Sequence, residues 1–239
     1  MANSFPTPQA LLHWLKPRLP SDTVTLWGTK PATKNVHNLW LQLALGESTL
    51  FNTTPPLYLV EIICVTIINN KRKLHGSRQL LSDGTMQPCG APLSRRMRAG
   101  ESPEVAAHRA IQEELASVLK VDDVKEKVRI VEGTCKRKVY ETQSRAYPGL
   151  RSRCVMHTVD AYVEGLPERN FSTEAEEFGD CNDELKGAAE KALRVKRNFW
   201  VWRWGEQGSS AAFSGLIVRT PNVDPYLYSG QYEDLNALL

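Results

Sequence analysis

The spacing of apolar residues changes several times along the chain, and each change marks an element. A short helix is predicted around Gln9 to Leu15, stopped by Pro17, followed by a turn-rich stretch holding Trp27. Asn35 to Leu45 is apolar enough to be structured, but its phase leaves helix and strand open. Leu57 to Ile68 is a run of β-branched residues between Pro55-Pro56 and Asn69-Asn70, the pattern of a strand buried on both faces. Asn70 to Lys73 reads as a turn, and Leu80 to Met86 carries the turn signal Asp83-Gly84, so a meander leads towards the middle of the chain. There the period becomes helical. Ser102 suits an N-cap, Pro103 the first turn, and Glu104 the positive end of the helix dipole. Ala107, Ile111, Leu115, Val118 and Leu119 then recur on one face, with Arg109, Ala110, Glu113, Glu114 and Ser117 on others.

Beyond this helix, Val128 to Glu132, Cys135 to Glu141 and Cys154 to Val163 read as strands, the last two joined by the irregular SRAYPGLRS loop. An acidic stretch from Pro167 to Glu184 precedes a helix from about Asp183 to Leu193, capped by Asn182 or Asp183. Phe199 to Trp202 is the expected last strand. A helix within a run of strands implies an α+β or layered αβα fold. The domain expectation is an extension over residues 1–55 packed on a core of 56–205, with a Ser, Gly, Pro and Asn-rich tail over 206–239.

Composition narrows the function only a little. At 239 residues and 41% hydrophobic content, one sizeable core is the natural outcome. With 30 basic and 27 acidic residues the net charge is +3, too slight for a general nucleic-acid footprint, so charge has to be read locally. Five cysteines at irregular spacing form no CxxC pair and signal neither a disulfide framework nor a zinc site. The first residues lack the pattern of a targeting peptide, and the apolar run at 57–69 is short and interrupted by Glu61. The expected setting is cytoplasmic, with the nucleus a second compartment, and no membrane.

The chemistry concentrates between Leu93 and Ser117. Carboxylates presented together on a helix bind Mg²⁺ through hard oxygen ligands, and the ion bridges to phosphate oxygens. Guanidinium groups grip phosphate bidentately, and Arg95, Arg96 and Arg98 stand in the loop just before the helix. Gly100 to Ala116, GESPEVAAHRAIQEELA, resembles the box of the Nudix hydrolase superfamily, matching it at Glu101, Arg109, Ile111, Glu113 and Glu114. It departs from that box at four positions. Arg95 and Ala116 replace glycines, Ser117 an aliphatic residue, and Ala110 the glutamate that in active members is a principal metal ligand.

The resemblance implies a Nudix fold, an αβα sandwich with a mixed central sheet. It also implies a Mg²⁺-dependent hydrolase, with Mn²⁺ as a substitute, that cleaves the diphosphate bond of a small organic or nucleoside diphosphate, isoprenoid diphosphates among the candidates. Glu113 and Glu114 would be the metal ligands, Glu101 a support for the loop, Arg109 the residue that orients a carboxylate, and Arg95, Arg96 and Arg98 the phosphate grip. In related folds a further carboxylate from beyond the box often completes the site, and the acidic stretch Glu174 to Glu184 is a source of candidates among which spacing does not choose. The alternative is a catalytically inactive Nudix fold that binds RNA, nucleotide or protein, the one reading in which nucleic acid is a partner. Oligomeric state is not specified by these patterns.

Overall fold

The structure is a computed structural model that describes residues 4–120, 124–175, 177–178 and 181–204. The chain divides into two compact units, Met1–Gln207 and Gly208–Leu239, and every described residue lies in the first. The expected 206–239 tail lies outside the described residues.

The longest strands form the centre. β1 (Ser48–Phe51), β2 (Leu57–Asn69), β3 (Arg72–Leu81), β4 (Met86–Pro88) and β5 (Leu93–Arg96) precede the first long helix. β6 (Val128–Ile130), β7 (Lys136–Gln143), β8 (Arg151–Val163), β9 (Phe171–Glu174) and β10 (Val195–Trp204) come after it. β2 and β8 pair in parallel along most of their length, and the other strand pairs are antiparallel, so the sheet is mixed, in the order β6-β8-β2-β3-β10-β9. Parallel pairs need cover on both faces. The period of two along β2 supplies it: Ile63, Val65 and Ile67 face one apolar cluster, while Tyr58 and Val60 face another.

The first cluster is covered by α3 (Pro103–Leu119), the second by α1 (Pro8–Leu15), α2 (Val36–Ala44) and α4 (Asp183–Lys191). The fold is therefore α+β with helices on both faces of a mixed sheet. Caps fix the helix starts: the Thr7, Asn35, Ser102 and Asn182 side chains each accept a backbone N–H of the first turn. Residues 35–45, of open phase in the sequence, are helical because Asn35 and Asn38 form a reciprocal capping box. Residues of the first fifty-five share the second cluster with strand residues, and Asn38 ties α2 to the end of α4 by bonding Leu193 through both its N–H and its carbonyl.

Two details of the sheet create the site. β2 and β3 pair only at Ile68–Asn69 with Lys73–Arg72 and then separate, and β5 takes over that edge of β2. β3 instead carries β4 and β10, with β9 beyond. α3 packs against β2, β5 and β9, and so lies between the two diverging parts of the sheet. Enclosed this way it buries a wide arc: Ala106, Ala107, Ala110, Ile111, Glu114, Leu115 and Leu119. The expectation that Ala110 and Glu114 sit off the buried face is corrected here, because that expectation allowed α3 only one wall. The loop expectation for Arg95 and Arg96 is corrected as well, since both lie on β5. Among the described residues no helix is long and apolar enough to cross a membrane, and Cys64, Cys89, Cys135 and Cys154 form no disulfide.

Candidate functional site

β5 distributes its arginines by simple alternation. Leu93 pairs with Val65 and enters the α3-side core, and Arg95, pairing with Ile63, follows it to that face. Arg96, opposite Ile62, goes to the other face, where Tyr58, Tyr147, Glu47 and Glu177 surround it. Burial opposes the Arg96 charge, but those four groups together hold its pKa above the ordinary arginine value.

Arg109, half-buried on the flank of α3, is a four-way clamp. Its Nε and Nη2 each donate to Glu101 at 2.7 Å, its Nη1 donates to Glu113 Oε1 at 3.0 Å, and its Nη2 also donates to the Arg96 carbonyl at 2.8 Å. Glu101 Oε2 additionally accepts the Arg98 N–H at 2.9 Å. Gly100, at φ +75°, makes the turn that brings Glu101 back under the helix. Loop, β5 and helix are thus locked through one guanidinium, which preorganises Glu113.

The Arg95 guanidinium lies between the two adjacent acids. Its Nε is 3.1 Å from Glu113 Oε2 and 3.0 Å from Glu114 Oε1. The N–H points squarely at neither oxygen, so no aligned hydrogen bond forms and the contact is ionic. Glu114 is 8% exposed. Its other oxygen, Oε2, accepts from Asn198 Nδ2, whose carbonyl accepts from Gln79 at 2.8 Å, and Gln79 in turn accepts from Gln87 at 3.0 Å. Burial pushes the Glu114 carboxyl upwards and Arg95 pulls it back.

These groups border a cleft of about 220 Å³ in the angle where the sheet opens. Lys34, Gln79, Arg95, Arg96, Glu114 and Glu177 line it. Lys34, from the N-terminal residues, pairs with Glu177 Oε1 at 2.8 Å, and the Val195 N–H donates to Oε2 at 3.0 Å. Burial acts against both charges of this pair. It prevails at Lys34, lowering that pKa, while at Glu177 the cations Lys34 and Arg96 prevail and hold the carboxyl at about 2. With two donors on its oxygens, Glu177 is ionised.

Of the residues singled out from sequence, Arg95, Arg96 and Glu114 reach the cleft lining, while Glu101, Arg109 and Glu113 form its adjoining support. Arg98 does not line the cleft; its side chain is half-exposed and stands 3.9 Å from Glu113. Among the described acids of 174–184, Glu177 lines the cleft, whereas Glu174 pairs with the exposed Arg197 and Asp183 with Lys186. Lys34, Gln79 and Asn198 carried no signal, since nothing local marks a polar residue whose partner lies on the far side of the fold.

The donor set can be tested against the divalent ion that the box resemblance implies. Glu113 meets Arg109 and Arg95, Glu114 meets Arg95 and Asn198, and so each of the four oxygens already has a protein partner. Among the described residues no three His, Cys, Asp or Glu are grouped to hold a metal. Ala110 supplies no further ligand and lies fully buried in the core. Mg²⁺ requires oxygens at about 2.0–2.1 Å in near-octahedral array, and the residues present do not fit it.

No family model and no curated protein sequence matches the chain. Among the solved structures that overlap it are Nudix-type hydrolases. The Escherichia coli dihydroneopterin triphosphate pyrophosphohydrolase is 19% identical over 65% of this chain and 84% of its own, with TM-score 0.31. The Caenorhabditis elegans Ap4A hydrolase binary complex is 15% identical over 60% and 78%, with TM-score 0.30. A Nudix hydrolase from Nitrosomonas europaea is 13% identical over 46% of this chain, with TM-score 0.29, and the match spans 62% of that protein's length.

Proposed function

We propose that the chain is a Nudix-type protein that recognises the diphosphate end of a nucleoside or small organic diphosphate. The observation that carries this reading is the convergence of Lys34, Arg95 and Arg96 on one cleft beside the box-like helix. Arg95 meets Glu113 and Glu114 through its Nε without an aligned hydrogen bond, so an incoming phosphate oxygen can compete for its guanidinium. Arg96 is 3.9 Å from Glu47, too far for a hydrogen bond, and can exchange that partner for an anion. The cleft is smaller than the roughly 300–1,000 Å³ that holds a whole drug-sized ligand, which suits it to the charged end of one.

In this reading recognition, rather than turnover, is the activity of the resting protein. Its support is the engagement of both box carboxylates by Arg95. Hydrolysis of the diphosphate bond, with Mg²⁺ or Mn²⁺ held by Glu113 and Glu114, is the second reading, and the intact Glu101–Arg109–Glu113 clamp favours it. An isoprenoid diphosphate is one of the substrates that reading would admit.

Titration with ADP and with inorganic pyrophosphate in EDTA, followed by calorimetry, tests the proposal. Saturable binding that weakens at least tenfold in Arg96→Ala is the expected result. Failure of both ligands to bind would sink it. Mg²⁺-dependent phosphate release by the wild type, abolished in Glu114→Gln, would put the hydrolase in its place.

A further inference from the structure

We infer that Arg95 is a tethered cation standing where the metal of a box-type site would stand, so that the cleft holds an anion without a divalent ion. This takes the box resemblance as its premise; the identity of the anion rests on the proposed function, while metal independence is tested separately from it.

Three observations carry the inference. The first is position. β5 is hydrogen-bonded in register to β2, with Leu93 anchored in the core two residues before Arg95. The backbone that presents the guanidinium is therefore part of the sheet and not a mobile loop. The box has a glycine at this place, a residue with no side chain to fill the space between helix and strand.

The second is charge. Glu101, Glu113 and Glu114 face Arg95, Arg98 and Arg109 across distances of 2.7 to 3.9 Å. Three acids meet three permanent cations, so among the described residues no charge deficit is left for a divalent ion to fill. A dication placed between Glu113 and Glu114 would meet the Arg95 guanidinium at the distance of its own ligands, and like charges at that separation repel strongly in a partly buried site.

The third is the fate of the metal-ligand position on α3. Ala110, where the box has its principal ligand, is fully buried among Ile63, Leu115 and their neighbours. A carboxylate there would lie in apolar surroundings. Loss of that acid and gain of Arg95 act in the same direction: relative to the box, one removes a negative charge and the other adds a positive charge. Together they account for two of the four departures from the box by a single cause. The permanent charge and planar fork of arginine suit it to act both as counter-ion to two carboxylates and as donor to a phosphate.

The test uses Mn²⁺ alone as the probe, with the full chain stripped in EDTA and dialysed, and free Mn²⁺ read by electron paramagnetic resonance. The wild type is expected to show no saturable binding up to millimolar Mn²⁺. Arg95→Gly is expected to bind saturably, at least tenfold more tightly, and the added change Glu114→Gln to abolish that binding. Arg95→Lys, which keeps the charge, should remain metal-free. If Arg95→Gly does not fold by circular dichroism, Arg95→Gln gives the same comparison with near-native volume. Saturable Mn²⁺ binding by the wild type as tight as by the neutral variants overturns the inference, and so does failure of the folded neutral variants to bind. Titration with pyrophosphate in EDTA is read independently: its failure would remove the anion reading while leaving the Mn²⁺ result intact.

Discussion

Replacing Arg109 by leucine tests how far the site is built on one guanidinium. Leucine keeps the helix propensity and the apolar stem of the side chain, so the change isolates the charged head. What is lost is a bidentate bond to Glu101, a bond to Glu113 and a bond to the Arg96 carbonyl. Glu101, with its side chain only 8% exposed, is left with the Arg98 N–H as its remaining donor. Removing one partner of a buried pair costs about 3–5 kcal/mol. Because the Arg109 side chain retains 15% exposure, the lower end applies, about 3 kcal/mol. Urea unfolding at pH 7 should show this as a lower midpoint with an unchanged slope.

The pH dependence of that difference provides a second check. Burial works to raise the Glu101 pKa, but bonding to Arg109 and to the Arg98 N–H leaves it below its ordinary 4.5. A depressed carboxylate contributes stability that is full above the unfolded pKa and is lost as pH falls through the folded one. The gap between wild type and Arg109→Leu should therefore be constant from pH 7 to about 5 and shrink below about 4.5. A gap under about 1 kcal/mol at pH 7, typical of an exposed pair, would refute the reasoning. So would a gap that does not move on acidification.

Burial leads to two further outcomes. Ala110→Glu restores the box sequence but places a carboxylate in the core, so it should destabilise by several kcal/mol, of order 3 or more. A melting temperature within a few degrees of wild type would contradict that placement. Glu177→Gln removes a carboxylate held at about 2 by Lys34 and Arg96. Its destabilisation should be fully present above about pH 4.5 and fade towards pH 2, read by chemical denaturation at intervals across that range. Destabilisation that persisted unchanged at pH 2.5 would place its cause in packing instead.

The residues of α3 show what sequence determines here. Ser102, Pro103 and Glu104 mark its start, and Ile111, Leu115 and Leu119 its buried stripe, because capping and periodicity are interactions within a turn or two of the chain. The β2 run was legible for a similar reason: a strand covered on both faces has to be apolar almost throughout. The Glu101–Arg109–Glu113 set lies within thirteen residues, and its spacing alone brings it together once the helix forms.

Tertiary structure decided everything that depends on a second wall or a distant partner. Ala110 and Glu114 are buried because β9 packs on, and Asn198 of β10 bonds to, a side of α3 that its own periodicity treats as open. Register on β2 sends Arg95 and Arg96 to opposite faces, a one-residue matter that no composition records. Lys34 meets Glu177 across 143 residues and Asn198 meets Glu114 across 84. A charge announces itself in sequence, but its partner is chosen by the fold. Here the fold gave both acids of the box to neighbours already in the protein.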